Sequence, residues 1–213
     1  MSKNKKPEII PNCKLTLLGD SGVGKSSIIG RYISGIFMND NITSSGASYS
    51  QKVYENKGRK VRLNIWDTAG QEKFRALGRN FYKDAYIICL VFDLTNKKTF
   101  ENIKQVWYPE IKKFGEKYNI LSIVGNKCDL YENEAVEEDE INSFAEKVGG
   151  IYYEISAKNG NGIDEMFESL AKMYLEPDFN DKLEKAQSLK EDSVKLDKRK
   201  LSKRKKKDKN SCC

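Results

Sequence analysis

The chain has 213 residues, 38% of them hydrophobic, and a formal net charge of +7. This length supports one α/β core, and the absence of histidine excludes imidazole as a catalytic base or a zinc ligand. No apolar run approaches the roughly 20 residues that cross a bilayer, and the polar start is not typical of a signal peptide, so we expect a cytosolic chain whose five cysteines are reduced.

A strand, a glycine-rich turn and a helix are predicted first, after an arm at residues 1–11 that we expect to be flexible. Residues 15–18 are apolar, and apolar side chains return at helical spacing from Ile28 onward. Residues 19–26 lie between them and fit the pattern G-x-x-x-x-G-K-[ST]. In such a turn, backbone N–H groups close around phosphates without Cβ clashes, and the helix N-terminus adds its positive end. The alternative is an ordinary glycine-rich turn.

The turn supplies most of the predicted phosphate contacts. Lys25 is expected to reach the phosphates, and the hydroxyl of Ser26 is expected to bind Mg²⁺. The residues predicted to contact a nucleotide here are Asp20, Ser21, Gly22, Val23, Gly24, Lys25, Ser26 and Ser27.

A second motif follows the alternating strand at residues 61–66. Asp67 at the end of this strand suits an outer-sphere or water-mediated contact with Mg²⁺. The Gly70 N–H can meet a γ-phosphate, and Gln71 can orient an attacking water. Alone, Asp-x-x-Gly is a common turn, but its order and spacing relative to the first motif favour the chemical interpretation.

A third motif, Asn126 to Asp129, comes directly after the apolar strand at 120–124. Asp129 can accept two hydrogen bonds from guanine, at N1–H and the exocyclic amine, and adenine has no N1 proton. Asn126 is expected to tie this loop to the glycine-rich turn at residues 19–26, which we call the phosphate loop, and the stem of Lys127 is expected to cover one face of the base. The alternative is a surface turn with solvated charges.

A fourth motif follows another apolar run, residues 151–155. It consists of Ser156, Ala157 and Lys158. We expect these residues to contact the base, with the Ala157 N–H donating to guanine O6. The four motifs together predict a pocket for a guanine nucleotide.

The alternating strand and helix patterns predict an α/β fold with a mostly parallel central sheet and helices on both faces, as in P-loop NTPases. We place the GTP-binding domain at residues 12–176 and a tail at 177–213. Past residue 177 the chain loses most apolar side chains, which predicts a flexible, partly helical tether.

Positive charge is concentrated in the last 16 residues. Residues 198–213 hold nine Lys or Arg and one Asp, a net charge of +8, and subtracting it from the total of +7 leaves −1 for the remaining 197 residues. The predicted domain is therefore not basic, and the charge belongs to the tail.

The chain resembles the small GTPases of the Ras superfamily, and most closely the Rab family, over roughly residues 12–175. The nucleotide motifs match in order, and further stretches around the switch regions resemble Rab sequences more specifically. These stretches are residues 62–66, 73–77, 81–85 and 90–95. Residues 46–49 with 125–129 resemble the early-endosomal branch of that family.

The resemblance assigns roles that the motifs alone do not. It implies that Tyr49, Trp66 and Phe81 form an aromatic triad that displays the switch state to effectors, and that Phe37 stacks on guanine. It also implies that Ser44 supplies an oxygen to Mg²⁺ and an N–H to the γ-phosphate. For the aromatic residues, plain core packing is the alternative.

One departure from the family pattern lies in the first switch. The family has threonine and then isoleucine before the switch glycine, whereas this chain has Ser44 and Ser45 before Gly46. Ser44 lacks the threonine methyl, and Ser45 lacks the apolar side chain. We therefore expect a looser GTP-bound switch and a changed effector surface.

The resemblance implies a switch that binds Mg²⁺ with GTP or GDP and hydrolyses GTP slowly, with Lys25 and Gln71 as catalytic residues. The implied partners are a GTPase-activating protein, an exchange factor, a GDP-dissociation inhibitor, the prenylation machinery, and effectors that bind the GTP state. We expect a monomer that does not bind nucleic acid. Its expected locations are the cytosol and the cytoplasmic face of intracellular membranes, including endosomes.

The terminal pair Cys212 and Cys213 resembles the Rab-type geranylgeranylation site. One lipid chain gives only marginal membrane binding, so a second chain or a basic patch is needed, and this tail has both. Each basic residue contributes about 1 kcal/mol against an anionic leaflet. The basic run alone also fits nuclear import, nucleic-acid binding or a merely solvating tail.

Two other functional classes remain open at this stage. A P-loop kinase would need a second substrate pocket, often under a lid, and no lid-like insertion is evident in the sequence. A GTP-binding scaffold without hydrolysis is the other alternative, and Gln71 argues against it.

Overall fold

The computed structural model describes residues 9–37, 48–68, 82–114 and 120–176. The chain divides into two compact units, Met1–Leu175 and Glu176–Cys213. Only Glu176 of the second unit is among the described residues, so the predicted tail at 177–213, with Cys212 and Cys213, lies outside them. The domain boundaries stay a prediction.

Strands and helices alternate along the described residues, as the sequence pattern predicts. The strands β1 to β6 are Asn12–Leu18, Ser48–Asn56, Arg59–Asp67, Ile87–Asp93, Ile120–Asn126 and Ile151–Ile155. The α-helices α1 to α5 are Lys25–Ser34, Lys97–Asn102, Tyr108–Phe114, Glu138–Val148 and Ile163–Leu175. A π-helical segment, Ile103–Trp107, joins α2 to α3, and a 3-10 helix, Cys128–Asn133, follows β5. We call the π-helical segment the π turn.

The six strands form one sheet in the order β2-β3-β1-β4-β5-β6. Only the pair β2 and β3 is antiparallel, and the other four neighbouring pairs are parallel. Strands β4 and β5 are buried at every position, as expected for parallel strands covered by helices on both faces. The predicted mostly parallel α/β fold is confirmed.

The strand order also marks where a ligand binds in such a sheet. From β1 the chain leads through α1 towards β2 and β3 on one side, and from β4 it leads to β5 and β6 on the other. Connections that leave neighbouring strands in opposite directions open a crevice at their carboxyl ends, where ligands bind in open α/β sheets. The crevice here lies between β1 and β4, directly at the glycine-rich turn.

Aromatic side chains fill the core on the two sides of the sheet. Phe92 of β4 packs against Phe100 of α2, with ring centroids 4.8 Å apart, and Phe100 meets Phe144 of α4 edge-on at 5.8 Å. Tyr32 of α1 stacks on Phe167 of α5 at 3.9 Å with an interplanar angle of 11°. These contacts fix the helices that carry and flank the glycine-rich turn.

The cysteines of the described residues are free, as the sequence predicts. Cys13 and Cys89 are buried, and Cys128 is half-buried. Burial raises the pKa of both Cys13 and Cys89 to about 12, and it also raises the pKa of Cys128 above its usual value. All three thiols therefore stay protonated near neutral pH.

Among the described residues, no helix combines the length and the apolar character that crossing a membrane requires.

Replacing Phe167 by alanine is expected to lower the free energy of unfolding by about 3–5 kcal/mol, because the side chain is 0% exposed and stacks on Tyr32. Urea unfolding measures the change. Glu168→Ala is the matched control, since this neighbour is exposed and pairs only weakly with Lys172 at 3.8 Å. A loss below about 1 kcal/mol for Phe167→Ala would contradict its place in the core.

Candidate functional site

The motif residues that the structure describes meet at one edge of the sheet. Strands β1, β3, β4, β5 and β6 all run in the same direction, so their carboxyl ends share that edge. The register places Leu17 beside Asp67, and it places Asn126 between Asp93 and Ile155. Because each motif starts at or just after one of these strand ends, segments far apart in the sequence become neighbours.

Two positions in the turn between β1 and α1 require glycine. Gly19 has a φ of 149°, and a Cβ there would lie 2.1 Å from the carbonyl oxygen of Val91. Gly24 has a φ of 98°, and a Cβ there would lie 2.3 Å from Nδ2 of Asn126. The missing side chains let the turn pack closely against β4 and β5. The phosphate loop is thus shaped partly by strands that are remote in sequence.

Lys25, the first residue of α1, is held against the backbone of this loop. Its side chain is only 5% exposed. The Nζ atom donates to the carbonyl oxygens of Gly19 at 2.8 Å and of Asp20 at 2.7 Å. A buried ammonium requires such partners, and they fix a positive charge beside the N-terminus of α1, where phosphate groups bind.

The side-chain oxygens of Ser26 and Asp67, both of which can coordinate a metal ion, lie next to each other. Ser26 Oγ donates to Asp67 Oδ2 at 2.5 Å. Thr68 donates its hydroxyl to the Leu17 carbonyl oxygen at 2.7 Å, which fixes the end of β3 against β1. Hydroxyl and carboxylate oxygens suit Mg²⁺, which takes one or two protein ligands and completes its shell with phosphate and water. The residues present therefore fit this ion.

Some metal ions are bound by protein side chains alone, unlike the Mg²⁺ site considered above, where phosphate and water complete the shell. Within residues 9–37, 48–68, 82–114 and 120–176, no group of three or more His, Cys, Asp or Glu is placed to hold a metal ion.

Asn126, the last residue of β5, connects the phosphate loop to the loop after β6. Its Nδ2 donates to the Val23 carbonyl oxygen at 2.8 Å, and its Oδ1 accepts from the Ala157 N–H at 3.1 Å. The bond to Val23 is the expected tie between the phosphate loop and the loop that begins at Asn126. The Ala157 N–H, which the sequence assigns to guanine O6, already has an acceptor, so binding O6 requires this N–H to be shared between two oxygens.

Asp129 is held ready to accept hydrogen bonds. Ser156 Oγ donates to its Oδ1 at 2.6 Å, and Lys158 Nζ lies 3.7 Å from its Oδ2. The carboxylate side chain is 13% exposed, whereas that of Lys158 is 65% exposed. The structure therefore gathers Asp129, Ser156 and Lys158 at one place, as the motifs predict. Their contacts with a base stay predictions.

Lys127 adopts the left-handed backbone conformation, with a φ of 73°. Its Nζ pairs with Asp93 Oδ2 at 2.6 Å. The other carboxylate oxygen of Asp93 accepts from the N–H and the hydroxyl of Thr95, at 2.9 and 2.7 Å. Asp93 thus holds the ammonium at the end of β4, which fixes the direction of the Lys127 stem. That the stem covers a base stays a prediction.

The sequence motifs did not identify Arg31 as part of this site. From the last turn of α1, its Nε donates to the Ala157 carbonyl oxygen at 2.9 Å and its Nη1 to that of Gly35 at 2.8 Å. Nη2 donates to the carbonyl oxygen of Lys158. Arg31 therefore braces the loop after β6 from the helix that follows the phosphate loop. A basic residue near a helix C-terminus is too common to indicate this role.

The predicted effector residues Tyr49 and Trp66 lie side by side on β2 and β3. Their ring centroids are 5.1 Å apart, and Tyr49 is 48% exposed. The Tyr49 hydroxyl donates to Asn64 Oδ1 at 2.8 Å. Trp66 is half-buried, so Tyr49 presents most surface and Trp66 packs partly against the protein. Phe37 is half-buried, and its stacking on guanine stays a prediction.

Several predicted site residues lie outside the described residues. They are Ser44, Gly70, Gln71, Phe81, Cys212 and Cys213. The roles assigned to them, and the expected loosening by Ser44 and Ser45, stay predictions from sequence.

Comparison with known proteins agrees with this geometry. A family model described as the Ras family matches residues 14–176. Over 163 residues the chain is 42% identical to Ras-related protein Rab-21 of Homo sapiens, and the aligned region covers 76% of this chain and 72% of that protein. It is 39% identical to Rab-26 of Rattus norvegicus over 160 residues, covering 75% of this chain and 62% of that protein. It is also 39% identical to SEC4 of Saccharomyces cerevisiae over 170 residues, covering 80% and 78%.

Replacing Asn126 by aspartate should speed the release of bound guanine nucleotide by about 5–150-fold. A carboxylate cannot donate to the buried Val23 carbonyl, and an unsatisfied buried group costs about 1–3 kcal/mol. Release of fluorescently labelled GDP measures the rate. Asn159→Asp is the control, because Asn159 is exposed and its oxygen, which accepts from the Asn161 N–H at 2.9 Å, is kept. Equal release rates in the two variants would show that the hydrogen bonds of the Asn126 side chain do not help to retain the nucleotide.

Proposed function

This chain belongs to the Ras family and is a small GTPase of the Rab type, and we propose that the residues at the carboxyl edge of its sheet bind Mg²⁺ with GTP or GDP. The proposal assigns the phosphates to the loop before α1 and the base to the loops after β5 and β6. Hydrolysis of GTP then switches the protein between two states that its partners distinguish, as in vesicle trafficking.

One observation carries the proposal: the phosphate side and the base side of the site are joined by the Asn126 side chain. Its two hydrogen bonds, of 2.8 and 3.1 Å, reach Val23 in the phosphate loop and Ala157 in the loop after β6. A single ligand with an anionic end and a purine end spans these two loops. The held ammonium of Lys25 faces the anionic end, and the carboxylate of Asp129 faces the purine.

The phosphate side works by position and charge. Lys25 is fixed by two carbonyl oxygens at 2.7 and 2.8 Å, so its ammonium needs little reorganisation to stabilise charge on the β- and γ-phosphates. Ser26 and Asp67 would hold Mg²⁺, which when bound neutralises phosphate charge. Gln71, assigned from the sequence, would orient the attacking water. The γ-phosphate passes to that water, and GDP is the leaving group.

The base side selects guanine by hydrogen bonding. Asp129 presents a carboxylate that matches the N1–H and the exocyclic amine of guanine. Ser156 already donates to one of its oxygens at 2.6 Å, which keeps the carboxylate oriented. A site built to pair a substrate N–H rejects an analogue without it by about 10⁴–10⁵. Adenine nucleotides should therefore compete poorly.

Unassisted hydrolysis should be slow, because no candidate arginine finger is apparent in the sequence. Arg31 is the arginine nearest in sequence to the loop, and its guanidinium is committed to carbonyl oxygens of residues 35, 157 and 158. In related GTPases the unassisted rate is about 10⁻⁴ s⁻¹, and an activating protein raises it about 10⁵-fold. We therefore infer a need for a GTPase-activating protein and for an exchange factor.

The membrane part of the proposal rests on sequence. Regulators and effectors are the kind of partner that Rab relatives imply. We propose in addition a GDP-dissociation inhibitor, prenylation of Cys212 and Cys213, and a position on endosomal membranes. The basic tail and the two cysteines support the prenylation and the membrane attachment, and the endosomal position rests on the resemblance of residues 46–49 and 125–129 to the early-endosomal branch. Mass spectrometry of the chain recovered from cell membranes would test the lipidation.

Denaturing the purified protein in Mg²⁺ and identifying the released nucleotide by chromatography and mass tests the function directly. We expect about one guanine nucleotide per chain, mostly GDP, because the slow hydrolysis inferred above still completes during purification. Bound adenine nucleotide would contradict the role of Asp129 and revive the kinase alternative. A protein that neither retains nor takes up added GDP would contradict the proposed pocket.

Replacing Gln71 by leucine is expected to reduce single-turnover GTP hydrolysis at least tenfold without reducing GTP affinity, because leucine cannot orient the attacking water. The measurement is release of phosphate from preloaded GTP. Gln105→Leu makes the same chemical change at an exposed position of the π turn and should hydrolyse at the unaltered rate. Normal hydrolysis in Gln71→Leu would remove this residue from the mechanism.

A further inference from the structure

Asp20, the second residue of the phosphate loop, has both carboxylate oxygens engaged by side chains from the helical run that starts at α2. Asn102 Nδ2 donates to Oδ2 at 2.6 Å, and Trp107 Nε1 donates to Oδ1 at 2.8 Å. These two residues lie 82 and 87 positions further along the chain. We call this pair of hydrogen bonds the Asp20 clasp.

The π turn explains how two residues five positions apart reach one carboxylate. On an α-helix with about 3.6 residues per turn, positions 102 and 107 would point about 140° apart. In the π turn the Tyr108 N–H instead bonds to the Ile103 carbonyl oxygen, five residues back. Residues five apart are therefore about one turn apart and face the same side. Such turns are frequent at functional sites.

The π turn is itself fixed to the body of the domain. Ile103 is fully buried, and Lys104 bonds to Glu101 at 2.7 Å and to Glu140 of α4 at 2.6 Å. Lys97 also pairs with Glu140 at 3.2 Å. Hydrogen bonds from Lys104 and Lys97 hold the pKa of Glu140 below its usual range. The donors of the clasp therefore sit on an immobilised support.

The clasp leads directly to the lysine of the phosphate loop. The carbonyl oxygen of Asp20, the same residue whose carboxylate is clasped, accepts from Lys25 Nζ at 2.7 Å. The clasp also fixes a negative charge that lies within a loop built to bind phosphate. A carboxylate deprived of one of its two donors would reorient, and the peptide unit that holds Lys25 would move with it.

We propose that Asn102 and Trp107 are positioning residues for the phosphate loop: by clasping Asp20 they set the Lys25 ammonium and slow the release of nucleotide. The inference rests on the proposed function, because it assigns Lys25 to the phosphates. It adds two residues of the helical run to the nucleotide site, although neither touches the phosphates.

A double-mutant cycle on the full chain tests the proposal. Trp107→Phe keeps an aromatic ring but removes the N–H donor together with the five-membered part of the indole, and we expect it to release labelled GDP about tenfold faster, as for the loss of a hydrogen bond to a charged group. In an Asp20→Ala background the same change should alter release by less than twofold, since no carboxylate is left to orient. Asn102→Ala, run through the same cycle, should behave alike and serves if Trp107→Phe does not fold.

Single-turnover hydrolysis adds a second measurement. We call Trp107→Phe and Asn102→Ala the clasp variants. With Asp20 present, each should hydrolyse preloaded GTP more slowly than the unsubstituted chain. In the Asp20→Ala background, each should hydrolyse GTP at the same rate as Asp20→Ala alone. Gln105→Leu, exposed on the same turn, is the matched control and should leave both rates unchanged.

Two results would overturn the inference. Equal acceleration of release by Trp107→Phe with and without Asp20 would mean that the ring acts through packing alone. No acceleration in either clasp variant would mean that the clasp does not matter for nucleotide retention. In both cases the unsubstituted chain would still hold guanine nucleotide. A chain that bound none would instead contradict the proposed function.

Discussion

The buried amide of Asn126 is the interaction on which the rest of the site depends. It stands at the end of the fully buried strand β5, is 2% exposed, and must satisfy both of its polar atoms within the protein. It does so with the carbonyl of Val23 on one side and the N–H of Ala157 on the other. The close approach also fixes the identity of residue 24, since any side chain there would occupy the place of the amide. One hydrogen-bonded group therefore sets the distance between the loop that we assign to phosphate and the loop that we assign to the base.

Charged side chains in the site are oriented by ion pairs and hydrogen bonds within the protein. Lys127 is paired with Asp93 at 2.6 Å, and Asp129 accepts from Ser156 at 2.6 Å. Lys25 is held by carbonyl oxygens. Each of these three charged groups is thus oriented by a neighbouring polar group of the protein. Preorganisation of this kind limits the reorganisation that binding and hydrolysis would otherwise require.

The sequence predicted the fold and the location of the site because both depend on local patterns. Apolar strands followed by short motifs are readable in order, and a parallel sheet brings their ends together. Arg31, Asp93 and Trp107 were not assigned roles, because their partners lie 126, 34 and 87 residues away and depend on how helices pack. The π turn was unpredictable for another reason: it differs from an α-helix by one backbone hydrogen-bond step, which composition does not encode. The shared use of the Ala157 N–H also became visible only with Asn126 in place.

The geometry of the π turn has a consequence for how this stretch of chain can change length in evolution. If one residue of the π turn were deleted, Asn102 and Trp107 would be four positions apart instead of five. On an ordinary α-helix such residues lie about 40° apart, still on one side. After the deletion, α2 and α3 would still turn the same faces towards the core, because the extra residue is accommodated within the π turn. Homologues of either length could therefore present the same two donors to the phosphate loop, and a one-residue gap in an alignment here would not signal a different contact.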